Sequence, residues 1–555
     1  MPDTVSRRSI SLSGGRARWS SEHWRVPTSR RDQWHPPDQR TVPTENGTIR
    51  SSWYVAALVW LVGFYAASPA AVADAELPLT LEPGTMTLFV DDHAISSHDG
   101  LRRTLRQPRK DDDGQMPLIA AKPGTGLLAY GTIVFDTRLD QYVMFTQEFP
   151  SRQMYRSTSA DGLSWHDNGR LEPITFAPAL PIDAETKPNI GIDLFSCYYD
   201  TRDTPYPYKG WLYYANYGNA REGIYFVRSS DGKQWERGRQ VVNAYADVGD
   251  PTCQTIHQDD RTVYGPGDVT LFSHDAKTNR FLGLFKFFTT EPVGPGNHLR
   301  SRAYAFFDRL DEPFDIRRLD RIALLPPAAD AEGNRPCDEF YASTAWRIGD
   351  LWLGGLKVFH ACDDYPWSAA GCAFLKLVVS RDGLNWKKVP FANDAGVPEI
   401  FLANGEEGGN DGRNDGGYIS EFSQGPLRIG DELVYYFSAS SFGKNRPPTD
   451  RLRGGGIFRA RLRPEGFVSI DGGTLTTRPL RFEGEELIVN AVGPVEVTVL
   501  TLGGQPLASA RLTGDSLAHE VRFDGRSLRR IAPSGTARLR FAVDKPGRLY
   551  AFSVR

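Results

Sequence analysis

The sequence predicts an all-β protein, because of its composition and a short motif that recurs along the chain. The 555 residues include 54 Gly, 22 Tyr and 12 Trp but only 5 Met, a mixture typical of many short strands joined by tight turns. This length allows two or three domains, each with a buried core. With a formal net charge of −3, the chain offers no basic field for binding nucleic acid.

The N-terminal segment predicts export. Residues 1–50 are polar, with nine Arg and no Lys, and we expect them to be a disordered leader. Within residues 51–75, the apolar run Trp53–Ala67 is followed by Ala71-Val72-Ala73, a pattern typical of a secretory signal peptide. The alternative is an uncleaved signal anchor that tethers the protein through residues 53–70, although the run is shorter than the roughly 20 residues that span a bilayer. Both interpretations place the folded part in the periplasm or outside the cell.

The recurring motif is S-x-D-G-x-x-W, at Ser159–Trp165, Ser229–Trp235 and Ser380–Trp386. The first two copies are 70 residues apart and the next interval is 151, which fits two periods with a degenerate copy near Asp308–Phe314. Such a period suits one four-stranded sheet with its loops. We expect each aspartate to accept backbone N–H groups across a tight turn that the glycine permits, so these aspartates are structural.

Five strand pairs follow from this period and predict a five-bladed β-propeller over residues 84–471. Each unit opens with a β-rich run, and a second strand follows after a turn. The opening strands are placed at Tyr130–Phe135, Asn189–Tyr199, Asp268–His274, Glu339–Trp346 and Tyr418–Leu427. The second strands are placed at Tyr142–Glu148, Trp211–Tyr217, Phe281–Phe288, Leu351–Phe359 and Glu432–Ala439. A further strand, Met86–Ile95, is expected to close the ring or to pack against the last blade.

The C-terminal residues 472–555 predict a small β-sandwich. Apolar and polar residues alternate there in short runs, without Trp or Cys. The five cysteines lie earlier in the chain, and none has metal-ligand spacing. Cys362 and Cys372 bracket one loop and are the pair best placed for a disulfide in an oxidising compartment.

The repeats, the blade count and the C-terminal sandwich resemble the five-bladed propeller glycoside hydrolases of the β-fructosidase and arabinanase type. The stretches Leu88–Asp92, Arg102–Pro108 and Gly473–Leu480 are similar to those of an exported bacterial branch of this class. The resemblance covers residues 84–555. The W-M-N-D-P-N-G, R-D-P and E-C motifs of the fructosidase branch are absent from this sequence, so that specificity is not implied.

The resemblance implies that acidic residues at the starts of the opening strands converge on one pocket. Glycosidic cleavage uses two carboxyl groups, a general acid and a base or nucleophile. At the start of its opening strand, blade 1 has Tyr130 and no acidic residue, whereas blade 5 has Glu421. From the other blades we assign Glu339 or Asp338 as the general acid and Asp268 as the base or nucleophile. Asp193 would orient a sugar hydroxyl or adjust the pKa of the acid. The alternative for each is a capped loop or an inter-blade ion pair.

Loops expected on the same face supply candidate sugar contacts. Tyr365 and Trp367 could stack on a sugar ring, or pack within their loop. Tyr130, Glu421 and Arg446 complete the substrate-binding set, and Arg446 with Arg451 points to an anionic sugar.

No histidine pattern predicts a catalytic zinc, and no cofactor is expected. The acidic, Gly-rich Asn404–Asp415 could ligate Ca²⁺, but its spacing departs from the EF-hand pattern, so a mobile lid is the preferred interpretation. We therefore expect a monomeric, exported glycosidase that acts on a poly- or oligosaccharide. The alternatives are a non-catalytic carbohydrate-binding propeller and an interaction propeller of the cell envelope.

Overall fold

Nearly all regular structure in the described part of this protein is β-strand. The computed structural model describes residues 76–129, 133–165, 172–180, 191–216, 221–244, 255–258, 261–290, 298–315, 319, 321–328, 337–361, 371–444 and 455–555. These residues form 38 strands with two short helices, Gly409–Gly412 (α1) and Leu528–Ile531 (α2), and a 3-10 turn at Asp111–Gly114. The predicted all-β class is confirmed, while the predicted leader and apolar segment lie outside the described residues. No described helix is long and apolar enough to cross a membrane.

Five strands precede the first repeat unit: β1 Leu79–Thr80, β2 Thr87–Leu88, β3 Ile95–Leu105, β4 Arg109–Lys110 and β5 Ile119–Ala120. The single strand predicted over Met86–Ile95 is wrong. The N–H of His93 donates to the Asp91 carboxylate and the N–H of Ile95 to the Asp92 carbonyl, and these bonds make a turn between β2 and β3.

The next fifteen strands form three sheets of five strands each. Sheet I contains β6 Gly126–Leu128, β7 Ile133–Asp136, β8 Gln141–Phe149, β9 Met154–Ser159 and β10 Glu172–Pro173. Sheet II contains β11 Thr175–Ala177, β12 Gly191–Tyr199, β13 Tyr208–Ala215, β14 Gly223–Ser229 and β15 Gln234–Asn243. Sheet III contains β16 Thr255–Gln258, β17 Arg261–Tyr264, β18 Leu271–Asp275, β19 Arg280–Thr290 and β20 His298–Phe307.

Sheet IV has twelve strands in two halves that are joined by one parallel bridge between Ala373 and Tyr418. Its first half contains β21 Asp338–Ser343, β22 Trp346–Ile348, β23 Leu351–Ala361, β24 Gly371–Ser380, β25 Lys387–Lys388 and β26 Ile400–Leu402. Its second half contains β27 Tyr418–Phe422, β28 Leu427–Ile429, β29 Glu432–Ser440 and β30 Gly456–Leu462. The N-terminal strands β4 and β5 pair with β30 and complete this half.

Sheet V has eleven strands, formed by the C-terminal segment together with β1, β2 and β3. Its own strands are β31 Val468–Thr477, β32 Leu480–Arg481, β33 Leu487–Val492, β34 Val495–Leu500, β35 Pro506–Leu512, β36 Asp515–Val521, β37 Thr536–Val543 and β38 Arg548–Val554. The longest pairing joins β3 to β31, so the start of the folded chain is fixed to the C-terminal sheet.

The second strand of each predicted unit is present, as β8, β13, β19, β23 and β29. These strands are buried on both faces, because each lies between other strands of its sheet and is covered by neighbouring sheets. One apolar cluster joins sheets II, III and IV, with Trp211, Phe285 and Phe359 among its members. Burying such side chains stabilises the fold by roughly 1.5–3 kcal/mol each.

The S-x-D-G-x-x-W turns form as predicted. The Asp161 carboxylate accepts the N–H groups of Leu163 at 2.8 Å and Ser164 at 2.6 Å, and Asp231 and Asp382 make the equivalent bonds. These backbone donors hold the pKa of Asp161 well below its ordinary value. The three aspartates are therefore structural, which confirms the prediction.

One of these turns packs tightly against a neighbouring strand, and this contact can be tested. Gly232 has φ +72°, and a Cβ there would lie 3.0 Å from the ring of Tyr208, which is fully buried. Gly124 has φ +77° with nothing within 4 Å of a Cβ. We expect Gly124→Ala to lower the free energy of unfolding by about 1 kcal/mol through backbone strain alone. Gly232→Ala should lower it by roughly 1–3 kcal/mol more, because the ring must move.

Denaturant unfolding of the two variants measures the difference. Equal losses in both would show that the Gly232 turn does not pack on Tyr208 as described.

Candidate functional site

The acidic residues at the starts of the inner strands belong to one network of charged side chains. Asp193 lies at the start of β12 in sheet II, and Asp268 lies three residues before β18 in sheet III. Glu339 is the second residue of β21 in sheet IV. Each is paired with a basic side chain, and the pairs of Asp193 and Glu339 connect neighbouring sheets.

Asp193 is held by Arg152, a residue of the turn between β8 and β9. Nη1 of Arg152 lies 3.0 Å from Oδ1 of Asp193 and also donates to the Ile192 carbonyl at 3.3 Å. Arg152 is buried and has φ +60°, a strained conformation for a non-glycine residue. The ion pair therefore fixes the position of Asp193 from the neighbouring sheet.

Asp268 forms an ion pair with Lys286 of β19, whose side chain is 2% exposed. Burial and the positive charges of Arg300 and Lys444 hold the pKa of Lys286 well below its ordinary value. The Asp193 carboxylate acts on Lys286 in the opposite direction, so it lies within electrostatic range of the same ammonium. Lys286 thus connects the carboxylates of sheets II and III.

Glu339 and Asp338 are neighbours in β21 but have different partners. Glu339 is fully buried and accepts from Arg300 through Nη1 at 2.7 Å and the backbone N–H at 3.1 Å. Asp338 accepts from Nδ1 of His360 at 2.9 Å and lies 3.8 Å from Nζ of Lys376. Burial alone would raise the pKa of Asp338, but His360 and Lys376 hold it below its ordinary value. Successive residues of a strand point to opposite faces, which separates the two carboxylates.

Glu222 is a further carboxyl group in this region, and it was not among the site residues predicted from the sequence. It directly precedes β14 in sheet II, is 6% exposed and accepts from the Tyr213 hydroxyl at 2.6 Å. Burial raises the pKa of Glu222, and the negative charge of Asp193 raises it further. Tyr213 and Lys286 oppose this shift without reversing it. The pKa of Glu222 is therefore above its ordinary value, and the charge of Asp193 contributes to this shift.

Four basic side chains surround the ring of Tyr341 in β21, and we call this group the cation ring. Measured to the ring centroid, the cations lie at 5.1 Å for Lys286, 4.4 Å for Arg300, 4.4 Å for Lys357 and 4.8 Å for Lys444. Nζ of Lys444 also donates to the Tyr341 hydroxyl at 2.8 Å. The cation ring lies beside the carboxylates, because Lys286 and Arg300 belong to both groups.

The predicted substrate-binding residues Tyr130, Tyr365, Trp367 and Arg446 lie outside the described residues, as do Arg451 and the side chain of Glu421. Cys362 also lies outside them, so its disulfide with Cys372 stays a prediction.

The loop predicted as a lid, Asn404–Asp415, is described. Asp415 is buried, lies 2.5 Å from Nζ of Lys110, and its N–H donates to the Gly114 carbonyl at 3.0 Å. These contacts attach the end of the loop to β4 and to the 3-10 turn that follows it. Among the described residues, no group of three or more His, Cys, Asp or Glu is arranged to hold a metal ion.

A cavity of about 620 Å³ lies at the other ends of the inner strands. Its lining includes Tyr198, Tyr199, His274, Trp346 and Arg347. None of the paired carboxylates described above lines it, so it is a separate feature from the charged network.

Comparisons with known proteins give similarities of structure alone. No protein-family profile and no curated protein matches the chain. The fold is similar to an N-acetylgalactosamine deacetylase from F. plautii in complex with blood group B trisaccharide, with 15% identity and a TM-score of 0.38 over 66% of this chain and 97% of that one. It is similar to a thermostable family-43 glycoside hydrolase, with 13% identity and a TM-score of 0.36 over 64% and 94%.

A third similar structure is a fructofuranosidase from Schwanniomyces occidentalis complexed with fructosylnystose, with 11% identity and a TM-score of 0.34 over 80% of this chain and 98% of that one. Glycoside hydrolases are thus among the structures that the chain resembles. At these TM-scores the similarities assign no activity to this chain.

The coupling between Glu222 and its neighbours gives opposite predictions for two variants. Asp193→Asn removes a negative charge and should lower the pKa of Glu222. Tyr213→Phe removes a donor to the ionised form and should raise this pKa. NMR titration of ¹³C-labelled glutamate measures both midpoints. Asp524→Asn, at a side chain that is 90% exposed, is the control and should leave the midpoint unchanged.

Unchanged midpoints in both test variants would contradict the described coupling.

Proposed function

We propose that this protein is an exported glycoside hydrolase that cleaves a poly- or oligosaccharide with a carboxyl acid/base pair. In this proposal sheets I, II and III and the two halves of sheet IV are the five blades of a propeller, and sheet V is a C-terminal sandwich. The five buried second strands and the three equivalent turns support the blade count. The membership of Asp193, Asp268 and Glu339 in one charged network supports a common pocket.

We assign the general acid to Glu222. The observation that carries the proposal is a buried carboxyl group that accepts from the Tyr213 hydroxyl and whose pKa is raised by burial and by the charge of Asp193. A raised pKa extends the pH range over which the carboxyl group keeps its proton, and a protonated carboxyl group can donate to the oxygen of the leaving sugar. Tyr213 positions the carboxyl group through its 2.6 Å hydrogen bond.

Asp193 is assigned as the base or nucleophile. It is held in place by the ion pair with Arg152, and its charge raises the pKa of Glu222. As a base it would take a proton from the attacking water, and as a nucleophile it would form the glycosyl bond that water then hydrolyses. Asp268, which forms an ion pair with Lys286, is assigned the role of orienting a sugar hydroxyl.

These roles differ from those proposed from the sequence. The fully buried Glu339 carboxylate already accepts from Nη1 and the backbone N–H of Arg300. The pKa of Asp338 is lowered, which favours its ionised form, whereas a general acid must carry a proton. Glu222, whose pKa is raised, meets this requirement better than Asp338.

The leaving-group dependence of Glu222→Gln tests the acid role. The variant should lose about 10²–10⁴-fold in kcat on substrates whose leaving group needs a proton. Aryl glycosides with acidic phenols need little protonation, so the loss on them should be small. The alkaline limb of the pH–rate profile should disappear, because activity in the parent falls as pH rises through the pKa of Glu222.

Glu172→Gln is the control, since Glu172 lies in the neighbouring sheet I, is 47% exposed and pairs with Arg156 and Lys233. Equal losses on all leaving groups would exclude Glu222 as the acid. Saccharide binding without turnover in the parent protein would support the non-catalytic alternative instead.

A further inference from the structure

The cavity of about 620 Å³ lies at the ends of the inner strands that are opposite to the carboxylates. It is lined by residues of β7, β12, β18 and β22 and by Gln424, which follows β27, so sheets I to IV all contribute to it. Asp193 and Tyr199 are six positions apart in β12, which is roughly 20 Å of extended strand. The cavity is therefore distinct from the site proposed at Glu222 and Asp193.

The inner strands that line the cavity are edge strands. In the described part of the chain, β7 pairs with β8 alone, β12 with β13, β18 with β19 and β22 with β23. The outer side of an edge strand carries a row of backbone N–H and C=O groups that make no ladder bond. Because these strands line the cavity, its walls offer both hydrogen-bond donors and hydrogen-bond acceptors.

Hydrogen bonds between the sheets hold the walls of the cavity in place. Oγ of Ser273 in sheet III donates to the Ala345 carbonyl of sheet IV at 2.6 Å. Nε2 of Gln424 in sheet IV donates to the Phe272 carbonyl of sheet III at 2.7 Å. These bonds show that the edges of neighbouring inner strands face one another, and they make the cavity a preformed one.

The charged side chains at the cavity balance one another. Nη1 of Arg347 lies 2.6 Å from Oδ2 of Asp275, and Lys277 forms an ion pair with Glu82. Among the described residues, no other Asp, Glu, Lys or Arg lines the cavity. A charged ligand would have to disrupt one of these pairs, and the charge it displaced would lose its partner. The cavity therefore favours a neutral ligand.

Aromatic side chains add apolar surfaces to the polar walls. Phe135 is 38% exposed, and Tyr199 and Trp346 are half-buried. Ligand sites of roughly 300–1,000 Å³ combine such surfaces with a small number of polar groups. A sugar ring has apolar C–H faces and a rim of hydroxyl groups, each of which can both donate and accept. Aromatic faces beside backbone donors and acceptors match this chemistry.

We propose that this cavity is a second saccharide-binding site, which holds a neutral oligosaccharide without cleaving it. Asp275 is already paired with Arg347 and Glu82 with Lys277, so the cavity has no carboxyl pair available for acid/base cleavage. The inference goes beyond the proposed function. Its one link to that function is the advantage of a second contact, which keeps a polysaccharide near Glu222 and Asp193.

Titration calorimetry of the purified full-length protein tests the proposal, with maltotriose, cellotriose, xylotriose and mannotriose as probes. The Glu222→Gln background prevents consumption of the probes. Ala276→Trp fills the cavity from the exposed turn after β18, and Phe135→Ala removes an aromatic face. We expect at least one trisaccharide to show a binding event whose Kd rises about tenfold or more in each of these variants.

Ala395→Trp and Leu384→Ala are the matched controls. Ala395 is exposed and Leu384 is 41% exposed, and both lie outside the cavity. They should leave every Kd unchanged. Thermal unfolding of each variant checks that it folds, and the exposed position of Ala276 allows a tryptophan without disturbing the core.

The outcomes separate this inference from the proposed function. If no trisaccharide binds, or if binding is unaffected by both cavity variants, the second site is overturned, while the leaving-group test of Glu222 still decides the hydrolase. Binding that depends on Ala276 and Phe135, in a parent protein that cleaves no glycoside, would support the second site and contradict the proposed function.

Discussion

The ion pair between Lys286 and Asp268 constrains the network of charged side chains at the starts of the inner strands. A lysine at 2% exposure inside an apolar strand is tolerated only with partners that compensate the lost hydration. Asp268 supplies one partner from the same sheet, and Asp193 adds a negative charge from sheet II. Lys286 therefore interacts with carboxylates of two sheets. The charges of Asp193 and Lys286 in turn both affect the pKa of Glu222.

The all-β class, the turns and the second strands could be predicted from the sequence, because each is determined by residues that are adjacent in the chain. The turns at Asp161, Asp231 and Asp382 follow from four or five adjacent residues, and the second strands follow from long apolar runs. The strand predicted at Met86–Ile95 was wrong for the same reason. Its apolar pattern is strand-like, but Asp91 and Asp92 accept backbone N–H groups and turn the chain.

Only some of the candidate site residues could be predicted from the sequence. Asp193, Asp268 and Glu339 could be selected because they begin opening strands. Glu222 precedes a third strand, and nothing in its neighbours Arg221 and Gly223 signals burial. Its burial and its hydrogen bond from Tyr213 depend on pairing between β13 and β14 and on packing between sheets. Lys286 and Lys357 could have been recognised in the sequence, since a lysine within an apolar strand requires a buried partner.

The proposed cleavage of a saccharide between Glu222 and Asp193 is tested most directly by a crystal structure of Glu222→Gln soaked with an oligosaccharide. We expect the glycosidic oxygen within about 3 Å of the side chain at position 222, with Asp193 facing the anomeric carbon. A saccharide bound instead in the cavity lined by Tyr198, His274 and Trp346, away from both carboxyl groups, would contradict the proposed cleavage.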